Sequence, residues 1–458
     1  MNSPFGTLAE ARATLRLALP LIVGQLSAVG MSLVDAVLAG HYSAHTLAAV
    51  AIGASLWSLS VSVAVGLMLA LPASIAQLDG AGQRNQVAPL FQQALWMALG
   101  AGALLFLGLR FGAPHLIRII GVAPVLYPDV DAFLHAIAWG SPALALYFAF
   151  RGLPEGLSIT WPTMVTGLAG LAFLAPLGWV LMYGKLGLPA LGARGSGIAT
   201  AVVMWLEAAC MAGYIAFNRG LRDLGWPRRW PRPERATIAR LLRLGTPMGV
   251  SVLMESGLFV AAALAIGTLG EDAVASHQIA LNVAAVAFMV PLGMAMAITI
   301  RLGRAAGRRD HAGVRHAFAA GVLLILATQT ISSSLMLCLP EHIARLYSDD
   351  VDIVMLAGRL VILAGIFQLA DGLQVAASGA LRGLKDTRVP MFLTAFAYWL
   401  VGMPLGWWMT FHQGFGARGM WMGLIAGLSA AAVLLMLRFA WMLRRPWLWR
   451  DLPPAEGV

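Results

Sequence analysis

Pro176-Leu177-Gly178-Trp179 recurs as Pro404-Leu405-Gly406-Trp407, and this recurrence decides how the chain is organised. Other residues recur at a constant separation of 227 positions, which the motif follows with one residue of slippage. The recurring pairs are Pro20 and Pro247, Arg16 and Arg243, Gly40 and Gly267, Gly66 and Gly293, Gly156 and Gly383, and Thr160 and Thr387. A repeat over most of the chain predicts two copies of one structural unit.

The composition indicates a membrane protein. Hydrophobic residues make up 59% of the chain and charged residues only 11%, against roughly 25% charged residues in soluble domains. Apolar stretches of about 20 residues, the length that spans a bilayer, recur twelve times. They are centred near Gln25, Val61, Ala101, Pro142, Leu171, Trp205, Leu258, Phe288, Leu326, Gln368, Leu400 and Ala430. The first stretch belongs to the repeat and is not a cleaved signal peptide.

We therefore predict an all-α integral membrane protein with twelve transmembrane helices. Each half holds six spans, an even number, so both halves enter the membrane from the same side. Such repeats form two six-helix lobes related by a pseudo-two-fold axis along the membrane normal. The predicted parts are an N-terminal lobe at 1–217, a basic linker at 218–243, a C-terminal lobe at 244–445 and a tail at 446–458.

Positive charge is concentrated in loops on one predicted face of the membrane. The net charge is +10, and cytoplasmic loops are the ones enriched in Lys and Arg. This bias places both termini in the cytoplasm and excludes nucleic acid as a partner. Eight arginines lie in the linker region: Arg219, Arg222, Arg228, Arg229, Arg232, Arg235, Arg240 and Arg243.

Three carboxylates lie inside predicted spans, where ionisable groups are costly and mark functional sites. Glu255 lies near the middle of the seventh span, Asp371 deep in the tenth, and Asp35 towards the outer end of the first. No basic residue lies within helical reach of any of them in the sequence, and none follows the repeat. An unpaired carboxylate in an apolar site holds a proton or binds a cation. Exchange between the two is the chemistry that an antiporter requires.

Other residues near these acids are candidates for cation or substrate contacts. Phe259 lies one helical turn beyond Glu255, where its ring could hold a cation by cation–π attraction. The alternative is a ring packed in the core. Glu207, in the sixth span, is a weaker candidate acid. Neutral ligands or donors in the second lobe, or alternatively helix–helix hydrogen bonds, are offered by Gln278, Asn282, Gln374 and Tyr398.

Several segments, in this order and spacing, resemble those of the multidrug and toxic compound extrusion (MATE) family, NorM-like branch. The resemblance covers essentially the whole chain. Its segments are VDAVLAG at 34–40, LAAVAIG at 47–53, QLDGAG at 77–82, SHQIALN at 276–282, DGLQ at 371–374 and LRGLKDT at 381–387.

The resemblance implies a twelve-helix antiporter of the bacterial inner membrane. It implies expulsion of small cationic, amphipathic drugs and dyes in exchange for Na⁺ or H⁺. Glu255 and Asp371 would form the cation site of the second lobe, with Na⁺ or H⁺ bound there, and Asp35 would be the coupling acid of the first. No cofactor besides the coupling ion is expected. The protein is expected to contact membrane lipids and to be a monomer.

The chain departs from the family pattern at three positions. Leu174 and Gly178 stand where that pattern often has asparagines near Asp35. We therefore expect fewer polar partners for Asp35 and place the main coupling role on Glu255 and Asp371. Phe367 stands where related chains can have a tyrosine, which removes one hydroxyl near Asp371.

Two other functions fit the sequence less well. A flippase for lipid-linked or polysaccharide cargo would line its cleft with Arg or Lys. Almost all Arg and Lys are instead predicted in loops, while carboxylates lie in the membrane, which favours cationic cargo. An intramembrane enzyme would need a nucleophile with its base or a metal site. The sequence has no H-E-x-x-H, G-x-S-x-G or Walker A motif, so we predict that the protein is not an enzyme.

Overall fold

The computed structural model describes residues 4–120, 123–226 and 230–445, and these residues form helices and loops with no strand. Sixteen α-helices occur in these ranges: α1 Pro4–Tyr42, α2 Ala44–Met68, α3 Ala70–Gly80, α4 Val87–Ile120, α5 Tyr127–Ala138, α6 Ser141–Gly156, α7 Trp161–Tyr183, α8 Gly192–Phe217, α9 Arg235–Gly267, α10 Glu271–Gly307, α11 His311–Cys338, α12 Pro340–Arg345, α13 Val351–Gly383, α14 Arg388–Ala395, α15 Met403–Phe411 and α16 Ala417–Arg444. A π-helical segment, Phe396–Gly402, joins α14 to α15.

The described helices confirm an all-α membrane protein. Eleven of them, counting α2 with α3 and α14 with α15, are long and apolar enough to cross a bilayer. The pair α5 and α6, bent by 43°, makes a twelfth if it is one span. The bend lies within the span predicted around Pro142. Proline lacks the N–H that would continue the hydrogen-bond ladder of a helix, which accounts for a break at this place. With this pair counted once, the helices agree with the twelve predicted spans.

The chain divides into two compact units that differ from its two halves. Unit 1 comprises Met1–Ile22, Gly80–Gly82 and Val250–Val458, and unit 2 comprises Val23–Asp79 and Gln83–Gly249. The borders inside α1 and α9 therefore lie two residues after Pro20 and two residues after Pro247. The predicted lobe bounds remain predictions. The tail at 446–458, with Arg228 and Arg229 of the linker, lies outside the described residues.

Unit 1 is built around α13, which packs against α10, α11 and α16. Its core consists of aliphatic, small and aromatic side chains, with Leu258, Leu360 and Trp421 fully buried. Glycines let the π-helical segment approach α16, since a Cβ atom at Gly402 would lie 3.0 Å from the Cα atom of Gly427. Small residues allow such close backbone contact between membrane helices.

Unit 2 is organised around α8, which packs against α5, α6 and α7. Its largest apolar cluster lies where α5 meets α2 and α4, with Leu109, Phe133 and Leu134 buried. Gly197 of α8 contacts α5 closely: a Cβ atom there would lie 2.7 Å from the carbonyl oxygen of Phe133.

Candidate functional site

Unit 1 brings Glu255 and Asp371 together. Glu255 lies on α9 and Asp371 on α13, and their carboxylates are close enough for the two charges to interact. Phe259 lies one turn after Glu255, and Phe367 one turn before Asp371. These two rings meet edge to face with centroids 6.1 Å apart. Since α9 and α13 run in opposite directions, this contact places both acids at one level, on the same side of the ring pair.

Neither carboxylate has a hydrogen-bond or ion-pair partner within the described ranges. Asp371 is only 2% exposed, whereas Glu255 is half-buried. Two neutral oxygens nearby, the Tyr398 hydroxyl and Gln374 Oε1, are also buried; the two side chains are neighbours, but neither oxygen has a well-formed hydrogen bond to a described residue. Tyr398 interacts with both acids and lies beside Gln374. Buried polar atoms are normally hydrogen-bonded, so this group of four side chains has unused capacity for a ligand.

The π-helical segment explains how Tyr398 reaches this group. Such segments carry one extra residue per turn and are frequent at functional sites. Tyr398 lies inside the segment Phe396–Gly402 and is fully buried. Gln374 lies about one turn after Asp371 on α13, so its side chain shares the face of the helix that carries the acid.

Arg382 brings a positive charge towards Glu255 that the sequence analysis did not single out. No basic residue lies within helical reach of Glu255 along the chain, and Arg382 approaches it from another helix. In the structure it is half-buried on the last turn of α13, and its charge interacts with that of Glu255, although no ion pair joins them. Arg382 follows Asp371 by eleven residues, about 16 Å along the helix. The fold brings it near an acid on another helix, which spacing along the chain could not reveal.

The remaining second-lobe candidates divide into two groups. Phe259 packs against Phe367, whose ring contacts Trp421 with centroids 5.9 Å apart, so it borders the aromatic core; a cation–π role for it remains a prediction. Gln278 and Asn282 lie on an exposed face of α10. Among the described contacts, none joins either amide to Glu255 or Asp371, and their role as ligands also remains a prediction.

Asp35 has two polar partners that the sequence analysis did not single out. Ser196 and Thr200 of α8 donate hydrogen bonds to Asp35 Oδ1 and Oδ2, each 3.0 Å long. Leu174 and Gly178 supply no polar side chain, as their sequence indicates. The two hydroxyl residues are four apart, so they lie on one face of α8. That spacing was the available signal in the sequence.

We expect Thr200→Val to lower the free energy of unfolding by about 1–3 kcal/mol, because it removes a donor from Asp35 Oδ2 at nearly constant volume. Thermal unfolding of the detergent-solubilised protein measures the loss. Thr330→Val, at an exposed position on α11, is the matched control and should change stability little. Equal stability of the two variants would contradict a structural role for this hydrogen bond.

Unit 2 also holds a buried ion pair that the sequence analysis missed. Arg151 Nε donates to Glu155 Oε1 at 2.8 Å, and the Thr163 hydroxyl donates to the same oxygen at 2.9 Å. Arg151 and Glu155 are 6% and 1% exposed. Arg151 is thus an exception to the prediction that almost all Arg and Lys lie in loops. Opposite charges four residues apart on a helix were the missed signal.

Comparisons with known proteins agree with this architecture. The family model for MatE matches residues 20–180 and 247–408, two regions whose starts are separated like the sequence repeats. The chain is 48% identical over 437 residues to a probable multidrug resistance protein NorM of Xanthomonas campestris, covering 95% of each chain. It is 41% identical to the multidrug resistance protein PmpM of Pseudomonas aeruginosa, covering 97% of this chain and 96% of that one.

Solved structures agree at the level of the fold. The crystal structure of a eukaryotic MATE transporter, AtDTX14, superposes with a TM-score of 0.89 over 97% of this chain and 99% of that chain, at 20% identity. The predicted resemblance is thus confirmed by both sequence and structure. The chain belongs to the MatE family.

Proposed function

We propose that this protein is a multidrug efflux transporter that exports cationic amphipathic drugs and dyes in antiport with Na⁺ or H⁺. One observation carries the proposal: Glu255 and Asp371 lie together in unit 1 without direct partners. The names of the NorM and PmpM relatives support the drug cargo. As in the rest of the family, the function is transport and not catalysis.

The chemistry of the acid pair supports exchange. Two negative charges in an apolar surrounding are costly unless a proton, a metal cation or a cationic ligand neutralises them. Entry of H⁺ or Na⁺ at Glu255 and Asp371 therefore competes with a cationic drug. The Tyr398 hydroxyl and Gln374 Oε1 would add neutral oxygens of the kind that Na⁺ prefers. Alternating access then requires that the carboxylates be neutralised before the protein returns to the inward-facing state.

The ion gradient would supply the energy. An ion that moves down a tenfold concentration gradient releases about 1.4 kcal/mol, which in one-for-one exchange sustains a concentration ratio of about 10 for a singly charged drug. The concentration of arginine in the linker supports a bacterial inner-membrane protein with both termini in the cytoplasm. We propose this location and this orientation of the termini together with the transport function.

Dye efflux from proteoliposomes tests the coupling. Ethidium transport is measured under an imposed Na⁺ gradient and, separately, under an imposed pH gradient. We expect one gradient to drive efflux and to identify the ion that Glu255 and Asp371 exchange. Liposomes with an uncoupler or ionophore that collapses the gradient are the control. No response to either gradient would contradict antiport and favour the flippase alternative.

A further inference from the structure

Glu207 of α8 is a buried carboxylate that belongs neither to the acid pair of unit 1 nor to the hydrogen-bonded group around Asp35. It is 6% exposed, and among the described residues no hydrogen bond or ion pair reaches it. Phe217 ends α8 ten residues further on, which places Glu207 about 15 Å from that end of the helix. The carboxylate therefore lies well inside the membrane-spanning part of the chain.

The charges around Glu207 leave one negative charge in excess. Arg151 of α6 acts on it electrostatically, but its Nε atom already binds Glu155. The Arg151–Glu155 pair is neutral as a whole, so Glu207 is not balanced by a cation of its own. A buried carboxylate without a counter-ion is strongly favoured in its neutral, protonated form.

Among the described residues, the ionisable groups that neighbouring helices bring towards Glu207 come from α6: Tyr147, Arg151 and Glu155. The Tyr147 hydroxyl lies 3.5 Å from the Thr166 hydroxyl of α7. The ionisable residue of α7, Tyr183, donates to the backbone carbonyl of Leu38. The ionisable groups of α2 and α5 pair with one another or with α4, as His45 with Asp129 and His135 with both Asp131 and Arg110. The last ionisable residue of α5, His135, lies near the contact between Gly197 and Phe133, ten residues or about 15 Å before Glu207 along α8.

A glycine on α7 makes room for the carboxylate. A Cβ atom at Gly170 would overlap Glu207 Oε1 and would lie 3.1 Å from Cδ. Among the described residues, no hydroxyl or amide group hydrogen-bonds to Glu207, and no cluster of three or more His, Cys, Asp or Glu side chains could hold a metal ion. A metal cation such as Na⁺ needs several oxygen ligands, whereas a proton needs only the carboxylate itself. The surroundings therefore favour a proton.

We propose that Glu207, beside the neutral Arg151–Glu155 pair, is an additional exchangeable proton site in unit 2, separate from Asp35. The site does not depend on the proposed antiport, because its occupancy is an equilibrium property of the folded chain. Asp35 lies on α1 and is bonded to Ser196 and Thr200, whereas Glu207 lies two to three turns further along α8.

Infrared difference spectroscopy of the full chain in liposomes tests this site without drug or ion gradient. Spectra recorded across the pH range contain the carbonyl band of each protonated carboxyl group. We expect Glu207→Gln to remove the band of one carboxyl group and Asp35→Asn to leave that band in place. Gly170→Ala should shift the band without removing it, because the added methyl group displaces the carboxylate. Glu271→Gln, which changes an exposed acid, is the control and should leave the band unchanged.

Three results would overturn the site. A Glu207→Gln spectrum identical to that of the wild type would show that this residue does not titrate. A Glu207 band that persists unchanged at every pH would show a permanently protonated acid. Loss of the band when Na⁺ replaces K⁺ would identify a metal-cation site instead. Size-exclusion chromatography confirms that each variant is folded before spectra are compared.

Discussion

Asp371→Asn is expected to abolish the accumulation that an ion gradient drives. Asparagine keeps the size of the side chain but can neither release a proton nor hold Na⁺ by charge. Under a tenfold ion gradient, a ratio of about 10 from one-for-one exchange should therefore fall to about 1. The measurement is the steady-state ratio of ethidium across the proteoliposome membrane under whichever gradient drives the wild type.

The matched control for this variant is Asp349→Asn, which changes an exposed acid in the loop before the same helix. It should transport at the wild-type level. Glu255→Gln should resemble Asp371→Asn, because the two carboxylates share one site. Gradient-driven accumulation by Asp371→Asn at the wild-type ratio would refute the proposed cation site, whatever the drug.

Arg151→Met is expected to destabilise the protein by about 3–5 kcal/mol. Removal of one partner from a buried ion pair leaves the other charge in an apolar surrounding. Glu155 would then keep only the hydrogen bond from Thr163. Thermal or denaturant unfolding of the detergent-solubilised protein measures the loss, and dye transport should fall with the amount of folded protein.

A double variant separates the loss of the ion pair from the cost of leaving one charge buried without its partner. Arg151→Met combined with Glu155→Gln should recover most of the stability, because replacing a whole buried pair by neutral groups is often close to neutral. The comparison pair is Arg438 with Asp386, whose side chains are 22% and 11% exposed against 7% and 2% for Arg151 and Glu155. Arg438→Met should lower the free energy of unfolding by less than Arg151→Met does. Equal losses at both pairs would show that burial does not control the effect.

The fold was largely predictable because its signals lie along the chain. Apolar length alone placed twelve spans, since a bilayer sets the minimum length of a helix that crosses it. The exception was the region around Pro142, where a helix break divides one predicted span into α5 and α6. Hydropathy averages over a window, so it does not resolve a bend between two short apolar helices.

The candidate site was predictable only in part. The free-energy cost of placing an ionisable group in the membrane singled out Glu255 and Asp371, and the structure brings these two carboxylates together. The approach of Arg382 to Glu255 depends on how α9 and α13 pack, and no local pattern encodes that packing. Arg151 and Glu155 were different, because their spacing was visible in the sequence. They lie nine and thirteen residues after Pro142, beyond the centre of the predicted span, where neither the basic loops nor the three acids drew attention to them.

The exchange of segments between the compact units has a consequence for biosynthesis. Residues 1–22 belong to unit 1, yet they leave the ribosome before most of that unit, which is synthesised after residue 249. Unit 2 is complete once its last residue, Gly249, has been made. The beginning of α1 belongs to a unit that is complete only after more than two hundred further residues have been made. A chain truncated after unit 2 would therefore carry a leading helix segment without its packing partners, exposed to quality-control proteases.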